Sequence, residues 1–224
     1  RQRYLALGQM AQVADVLLGV GLTHQERGDY TQAIDYFTQS REQFSQLDQP
    51  ADVARLWNRS GELEILRGDF HQGSSYFNHA IDIAKRYDFV SQQARALIGL
   101  GLCLEKFENY IEAKSKYDEA ILLWNKIDNL EQLAKAQLGL SRLLWNDGKE
   151  YEAKTKLQFV MKTLDERSKK REKAFLQQNL SDFLIKVYEK DLAREYLQSA
   201  LEIFNSFGID YQVEKTNKML KDLS

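Results

Sequence analysis

The sequence predicts an all-α solenoid of stacked helical hairpins. Two observations carry this: small and aromatic residues that return every 40 positions along the whole chain, and a composition of helix formers with one proline, Pro50. Ala14, Ala54, Ala94, Ala134 and Ala174 form one series, and Ala33, Gly73, Ala113, Ala153 and Ala193 form a second. Phe37, Phe77, Tyr117, Leu157 and Leu197 form a third, while Gly21, Gly61, Gly101, Ser141 and Ser181 form a weaker fourth. A fixed period of this length marks a repeat architecture, in which each repeat buries its apolar face only by stacking on the next. The 224 residues are rich in Leu, Ala, Gln, Glu and Lys, all favourable in helices. One continuous array is expected, since such a fold grows repeat by repeat and needs no single centre.

Each repeat reads as two helices. In the third, Ala94, Leu97, Ile98, Gly101 and Leu104 mark one buried stripe, and Tyr110, Ala113, Tyr117, Ala120, Ile121 and Trp124 mark the next. The breaks within repeats fall at Gly28-Asp29, Gly68-Asp69, Asn109 and Gly148-Lys149, where glycine suits the positive φ of a helix C-terminus. Between repeats they fall at Asp48-Gln49-Pro50, Asp88, Asp128-Asn129 and Ser168. The expected repeats are 11–50, 51–90, 91–130, 131–168 and 169–208, followed by a capping helix in 209–224 that carries Val213, Met219, Leu220 and Leu223. Residues RQRYLALGQMAQVA align with REQFSQLDQPADVA without a gap, so 1–10 reads as the end of a truncated preceding repeat. At helix separations of about 8 to 10 Å the closest approaches need Gly or Ala. Gly21, Gly61 and Gly101 are therefore expected to face Ala33, Gly73 and Ala113, with Phe37, Phe77 and Tyr117 filling the space beside them.

Charge and composition narrow the function. With 31 basic and 33 acidic residues, no overall field draws the chain to nucleic acid or an anionic membrane. No apolar run approaches the roughly 18 residues of a membrane span, and a cytoplasmic location is expected. The single cysteine, Cys103, reads as a small buried hydrophobe. His24, His71 and His79 lack metal-ligand spacing, and His24 stands where other repeats have Leu104, Leu144 and Leu184, which marks it as structural. No nucleophile elbow, phosphate-binding loop or CxxC pair occurs. Neither an enzyme activity nor a cofactor is assigned.

The repeat motifs resemble the tetratricopeptide repeat in its long, 40-residue form. The resemblance rests on Leu97, Leu100-Gly101 and Leu104 in a first helix, with the looser Trp57, Ser60-Gly61 and Glu64 beside it. It rests also on the turns Gly28-Asp29-Tyr30 and Gly68-Asp69-Phe70, and on Gly73, Phe77, Ala80 and Ala113, Tyr117, Ala120 in second helices. Departures collect in the fifth repeat, at Gln177, Ser181 and Tyr188-Glu189-Lys190. The resemblance implies a right-handed superhelical α-solenoid of about five helix-turn-helix repeats plus the capping helix. It also implies a concave groove lined by the second, fifth, ninth, twelfth and thirteenth positions of each first helix, counted from the alanine. From that row the candidate partner-binding residues are Arg55, Asn58, Arg95, Ile98, Leu102, Lys106, Lys135, Leu138, Arg142 and Trp145. Arg95, Lys106, Lys135 and Arg142 around Trp145 point to a protein or peptide partner that is acidic or carboxylate-ended and carries an apolar anchor.

Each of these has a plainer reading. Charged residues on helices are usually solvated, and such cations commonly pair with a carboxylate such as Glu105 or Glu131. Trp145 is either a binding hot spot or a packing residue, whereas Trp57 and Trp124 lie on inward stripes and read as core. The run Lys169-Lys170-Arg171, with Lys173, reads as a solvated helix end. Two functions stay open: a peptide-interaction scaffold that uses the groove, and a ligand- or partner-responsive sensor segment of a bacterial signalling or effector protein. Self-association through Tyr4, Leu5 and Leu7 at the first helix is a further expectation.

Overall fold

The computed structural model describes residues 2–166, 170–187 and 189–223, with side chains from residue 8 onward except 164–166, 170 and 172. The breaks expected at Ser168 and Tyr188, Lys169 of the basic run, and the side chains of Tyr4, Leu5 and Leu7 lie outside the described residues. The chain is all-α. In order the helices are α1 (Gln2–Arg27), α2 (Tyr30–Gln46), α3 (Pro50–Arg67), α4 (Phe70–Tyr87), α5 (Val90–Lys106) and α6 (Tyr110–Lys126). They continue with α7 (Leu130–Asn146), α8 (Glu150–Glu166), α9 (Lys170–Lys186), α10 (Lys190–Phe207) and α11 (Asp210–Asp222). Where the sequence predicts one array, the helices divide into two compact bodies, Arg1–Asp128 and Asn129–Ser224.

The turns explain the regularity. Gly28, Asp48, Gly68, Asp88, Glu108, Asp128, Gly148 and Gly208 all have positive φ, so from Gly28 to Gly148 the backbone leaves the helix at 20-residue intervals. After all of these but Asp128 the next N–H reaches back to the last helical turn, as in Asp29 to the His24 carbonyl at 2.9 Å, Asn109 to Leu104 at 2.9 Å and Lys149 to Leu144 at 2.9 Å. This C-terminal motif satisfies carbonyls that the helix leaves open. Asp and Gly tolerate the left-handed region, but Glu108 at φ 59° does so at a cost. Replacing Glu108 with Gly is expected to raise stability by about 1 kcal/mol, the relieved strain exceeding the added freedom of the unfolded chain; a urea midpoint that does not rise contradicts this. Pro50 opens α3, where its missing N–H has no intrahelical partner. Asp69 and Asn129 cap α4 and α7 by accepting from the N–H groups of Gln72 at 2.9 Å and Gln132 at 3.1 Å.

The helix break expected after residues 1–10 is absent, and α1 runs unbroken from Gln2 to Arg27. Two reasons are visible in the residues. Gly8 stands in the place of Asp48 but lacks the positive φ that ends α2, and Met10 replaces Pro50, so nothing obliges the helix to restart.

In the N-terminal body the glycine and aromatic series interlock. A Cβ on Gly21 would lie 2.6 Å from the Phe37 ring, one on Gly61 2.8 Å from Phe77, and one on Gly101 2.9 Å from Tyr117. Gly99 of α5 meets the same ring, for a Cβ there would overlap Phe77 itself. Phe37, Phe77 and Tyr117 are each completely buried. In the C-terminal body the same two positions change together: Ser141 and Ser181 replace glycine while Leu157 and Leu197 replace the ring. The hydroxyls donate back to their own helices, Ser141 to the Gln137 carbonyl at 2.7 Å and Ser181 to Gln177 at 2.8 Å. The fourth and fifth repeats share one apolar cluster that includes Leu138, Leu157, Leu176, Leu180 and Leu197. Onto it α11 docks with Met219, Leu220 and Leu223, while Val213 packs against Phe204 and Ile209. Two hydrogen bonds fix this helix: Gln178 Nε2 to Thr216 Oγ1 at 2.9 Å, and Arg194 Nη2 to the Leu223 carbonyl at 3.1 Å.

Candidate functional site

The first helices of the N-terminal body, α1, α3 and α5, carry the expected row. Ile65, Ile98 and Leu102 are half-buried, while Leu66 and Lys106 are exposed. These give the row an apolar strip with one cationic end, the Lys106 ammonium lying 5.6 Å from the Phe70 ring. The two arginines in the row are occupied. Arg55 Nη2 is 2.5 Å from Asp52 Oδ1. Arg95 grips Glu62 with two bonds, Nε to Oε1 at 2.6 Å and Nη2 to Oε2 at 2.7 Å, the fork-to-carboxylate geometry that fixes both partners. The Glu62 carboxylate also raises the Arg95 pKa further. The partner is therefore a residue on the preceding first helix, rather than Glu105, which accepts a hydrogen bond from the Tyr117 hydroxyl.

Two expected row residues are not on the surface. Asn58 is fully buried, its Nδ2 donating to the Gln92 carbonyl at 3.0 Å and to Gln92 Oε1 at 3.1 Å. Leu138 is only 2% exposed, inside the core cluster of the C-terminal body. At Asn58 and Leu138 the fifth position is buried, and Asn58 links its repeat to the next through Gln92 where a groove contact was expected, while Ile98 at the same position stays half-buried. In the C-terminal body Lys135 and Arg142 are half-buried, and Trp145 packs edge-on against Phe183 with centroids 6.2 Å apart, beneath the Lys154 ammonium at 5.8 Å. Arg55, Arg95, Ile98, Leu102 and Lys106 thus share one body, and Lys135, Arg142 and Trp145 share the other.

Elsewhere the single cysteine is inert: burial pushes the Cys103 thiol up to about 12, so it stays protonated at neutral pH. His24 is half-buried, stacked on Tyr36 at 5.3 Å with its Nδ1 3.4 Å from Asp29 Oδ2. Trp124 is core, at 4% exposure. Trp57 is not: it is half-buried and gathers Arg41, Tyr76 and His79 around its ring. That cluster escapes a reading by helical stripe, although the repeat alignment holds a signal for it. Among the described residues no helix is long and apolar enough to cross a membrane.

Comparison with known proteins agrees with the helical-repeat fold. A profile of the tetratricopeptide repeat matches residues 12–86 and 52–121. No curated protein sequence matches significantly. Among solved structures, the chain is similar to the apo form of RapI, with a TM-score of 0.67 and 12% identity over 96% of this chain and 64% of that one. It is similar also to a Rap protein complexed with Competence and Sporulation Factor, with a TM-score of 0.66 and 14% identity over 95% of this chain and 64% of that one. BtubC from P. vanneervenii gives a TM-score of 0.64 and 13% identity over 100% of this chain and 84% of that one. The chain thus spans 64% of the length of each of these two Rap structures, and at such identities the likeness is one of fold. Through residues 12–121 the chain belongs to the tetratricopeptide-repeat family.

Proposed function

We propose that the protein is an interaction scaffold that holds a peptide segment of a partner along the first-helix row of its N-terminal body. The observation that carries this reading is the strip of Ile65, Leu66, Ile98 and Leu102, apolar side chains of two successive first helices that are half-buried or exposed along the row. The flanking arginines are already neutralised by Asp52 and Glu62. They therefore frame the strip, and Lys106 is the row cation placed to meet an acidic side chain or a terminal carboxylate. Apolar anchors in such a row provide affinity, and the polar rim provides register.

Peptides selected from a random library on the immobilised protein, and measured by fluorescence anisotropy, test this. Leu102→Glu is expected to weaken the selected peptides at least about tenfold, equivalent to roughly 1.4 kcal/mol, with helicity by circular dichroism unchanged. Lys106→Ala is expected to weaken chiefly those that end in a carboxylate. Equal binding by parent and both variants contradicts the assignment. The sensor reading is kept by one observation, the likeness to a Rap protein that was solved in complex with a factor; on that reading the same peptide site serves to report a ligand.

A further inference from the structure

Away from the first-helix row, helices α2, α3 and α4 bring together Arg41, Trp57, Tyr76 and His79. The Arg41 guanidinium carbon lies 3.5 Å from the Trp57 ring centroid. Trp57 in turn stacks with His79 at 4.6 Å and 28°, and leans on Tyr76 at 5.1 Å and 47°. Among the described residues no carboxylate pairs with Arg41. Its one hydrogen bond is a long one, Nη2 to Thr38 Oγ1 at 3.4 Å, and its Nη1 is buried with no acceptor. Burial lowers the pKa of this arginine and outweighs the opposing influence of Tyr76 and of the Glu42 carboxylate nearby, neither of which pairs with it directly.

The internal repeats show that the scaffold does not need a cation here. At the equivalent places stand Ile81, Ile121, Met161 and Leu201, all buried or half-buried. An aliphatic side chain satisfies the packing four times. Among the described residues only Arg41 places a half-buried guanidinium in this apolar position, and only there does a tryptophan lie beneath it, where the later first helices have Leu97, Gln137 and Gln177. A cation–aromatic contact offsets part of the desolvation, but an uncompensated buried charge remains costly.

We propose that Arg41 on Trp57 forms an oxyanion site, taking a carboxylate or phosphate group of a ligand against the edge of the guanidinium. Stacking on the indole holds the guanidinium plane, which presents its N–H donors in a fixed fork suited to two oxygens. The bound oxyanion supplies the missing countercharge; Trp57 is half-buried and His79 exposed, so the cluster lies near the surface and Nη1 is uncovered by a shift of the Arg41 side chain when the anion enters. The site is separate from the peptide row and stands or falls independently of it.

Titration of the protein with sodium acetate and, separately, sodium phosphate tests this, read through the Arg41 Nε–Hε resonance and the melting temperature, against sodium chloride at matched ionic strength. A saturable shift of that resonance is expected, with a rise in melting temperature that chloride does not reproduce. Response to acetate identifies a carboxylate site, and response to phosphate alone identifies a phosphate site. Arg41→Met, which installs the side chain of the fourth repeat, is expected to melt no lower than the parent without anion and to lose the anion-dependent rise. A resonance that moves no further than in chloride, or a rise that persists in Arg41→Met, overturns the proposal. The parent titration decides the matter even if the variant does not fold.

Discussion

Replacing Phe77 with Ala is expected to destabilise the protein by about 3 to 5 kcal/mol, the cost of removing a fully buried ring whose cavity cannot collapse. The reason lies in how many elements this ring serves. Phe77 comes from α4, lies against Gly61 of α3 within its own repeat, and meets Gly99 of α5 in the next. Glycine at both places lets the backbones approach until the ring fills the gap completely, and nothing smaller can hold three helices at those separations. Urea unfolding followed by far-ultraviolet circular dichroism measures the loss. A change no larger than that of a surface substitution would show that the repeats are held by something other than this ring.

The second large effect is a coupling. Gly61→Ser alone places a Cβ 2.8 Å from the Phe77 ring and is expected to cost roughly 1 to 3 kcal/mol through overpacking. Joined with Phe77→Leu, it recreates the pairing of Ser141 with Leu157 found in the fourth repeat. Most of its cost is then expected to vanish, leaving an interaction energy of at least about 1 kcal/mol in a double-mutant cycle. Strictly additive losses would mean that the two positions do not share one space.

Much of this packing was legible because each residue in it answers a local demand that recurs. The alanine and glycine series mark close backbone approaches, the aromatic series fills them, and both repeat since each hairpin meets the same neighbour. The Gly-Asp turns were legible for the same reason, whereas Glu108 was not: its side chain gives no sign of a left-handed backbone, and only the 20-residue spacing of the turns discloses it. The unbroken α1 was missed since the alignment of the first residues rests on spacing, and spacing does not reveal whether Gly8 leaves the helix.

The candidate site was less legible, because burial at a row position depends on which helix lies alongside. Asn58 and Leu138 occupy places that a single repeat shows as outward, and the next first helix covers them. Arg95 pairs with Glu62, 33 positions away in sequence, where helical spacing pointed to a nearer carboxylate. Arg41 taken alone carries no sign that sets it apart from the other charged residues on the helices. Comparing it with Ile81, Ile121, Met161 and Leu201 would have exposed it, since a repeat protein supplies its own controls.

The central claim is that the first-helix row of the N-terminal body receives a peptide. The most direct measurement is a map of backbone amide shifts on titration with a library-selected peptide, recorded on the whole protein. Saturable shifts concentrated along α3 and α5 around Ile65, Leu66, Ile98, Leu102 and Lys106 are the expected result. Shifts confined to the second helices α2, α4 and α6, with the first-helix row unmoved, would contradict it.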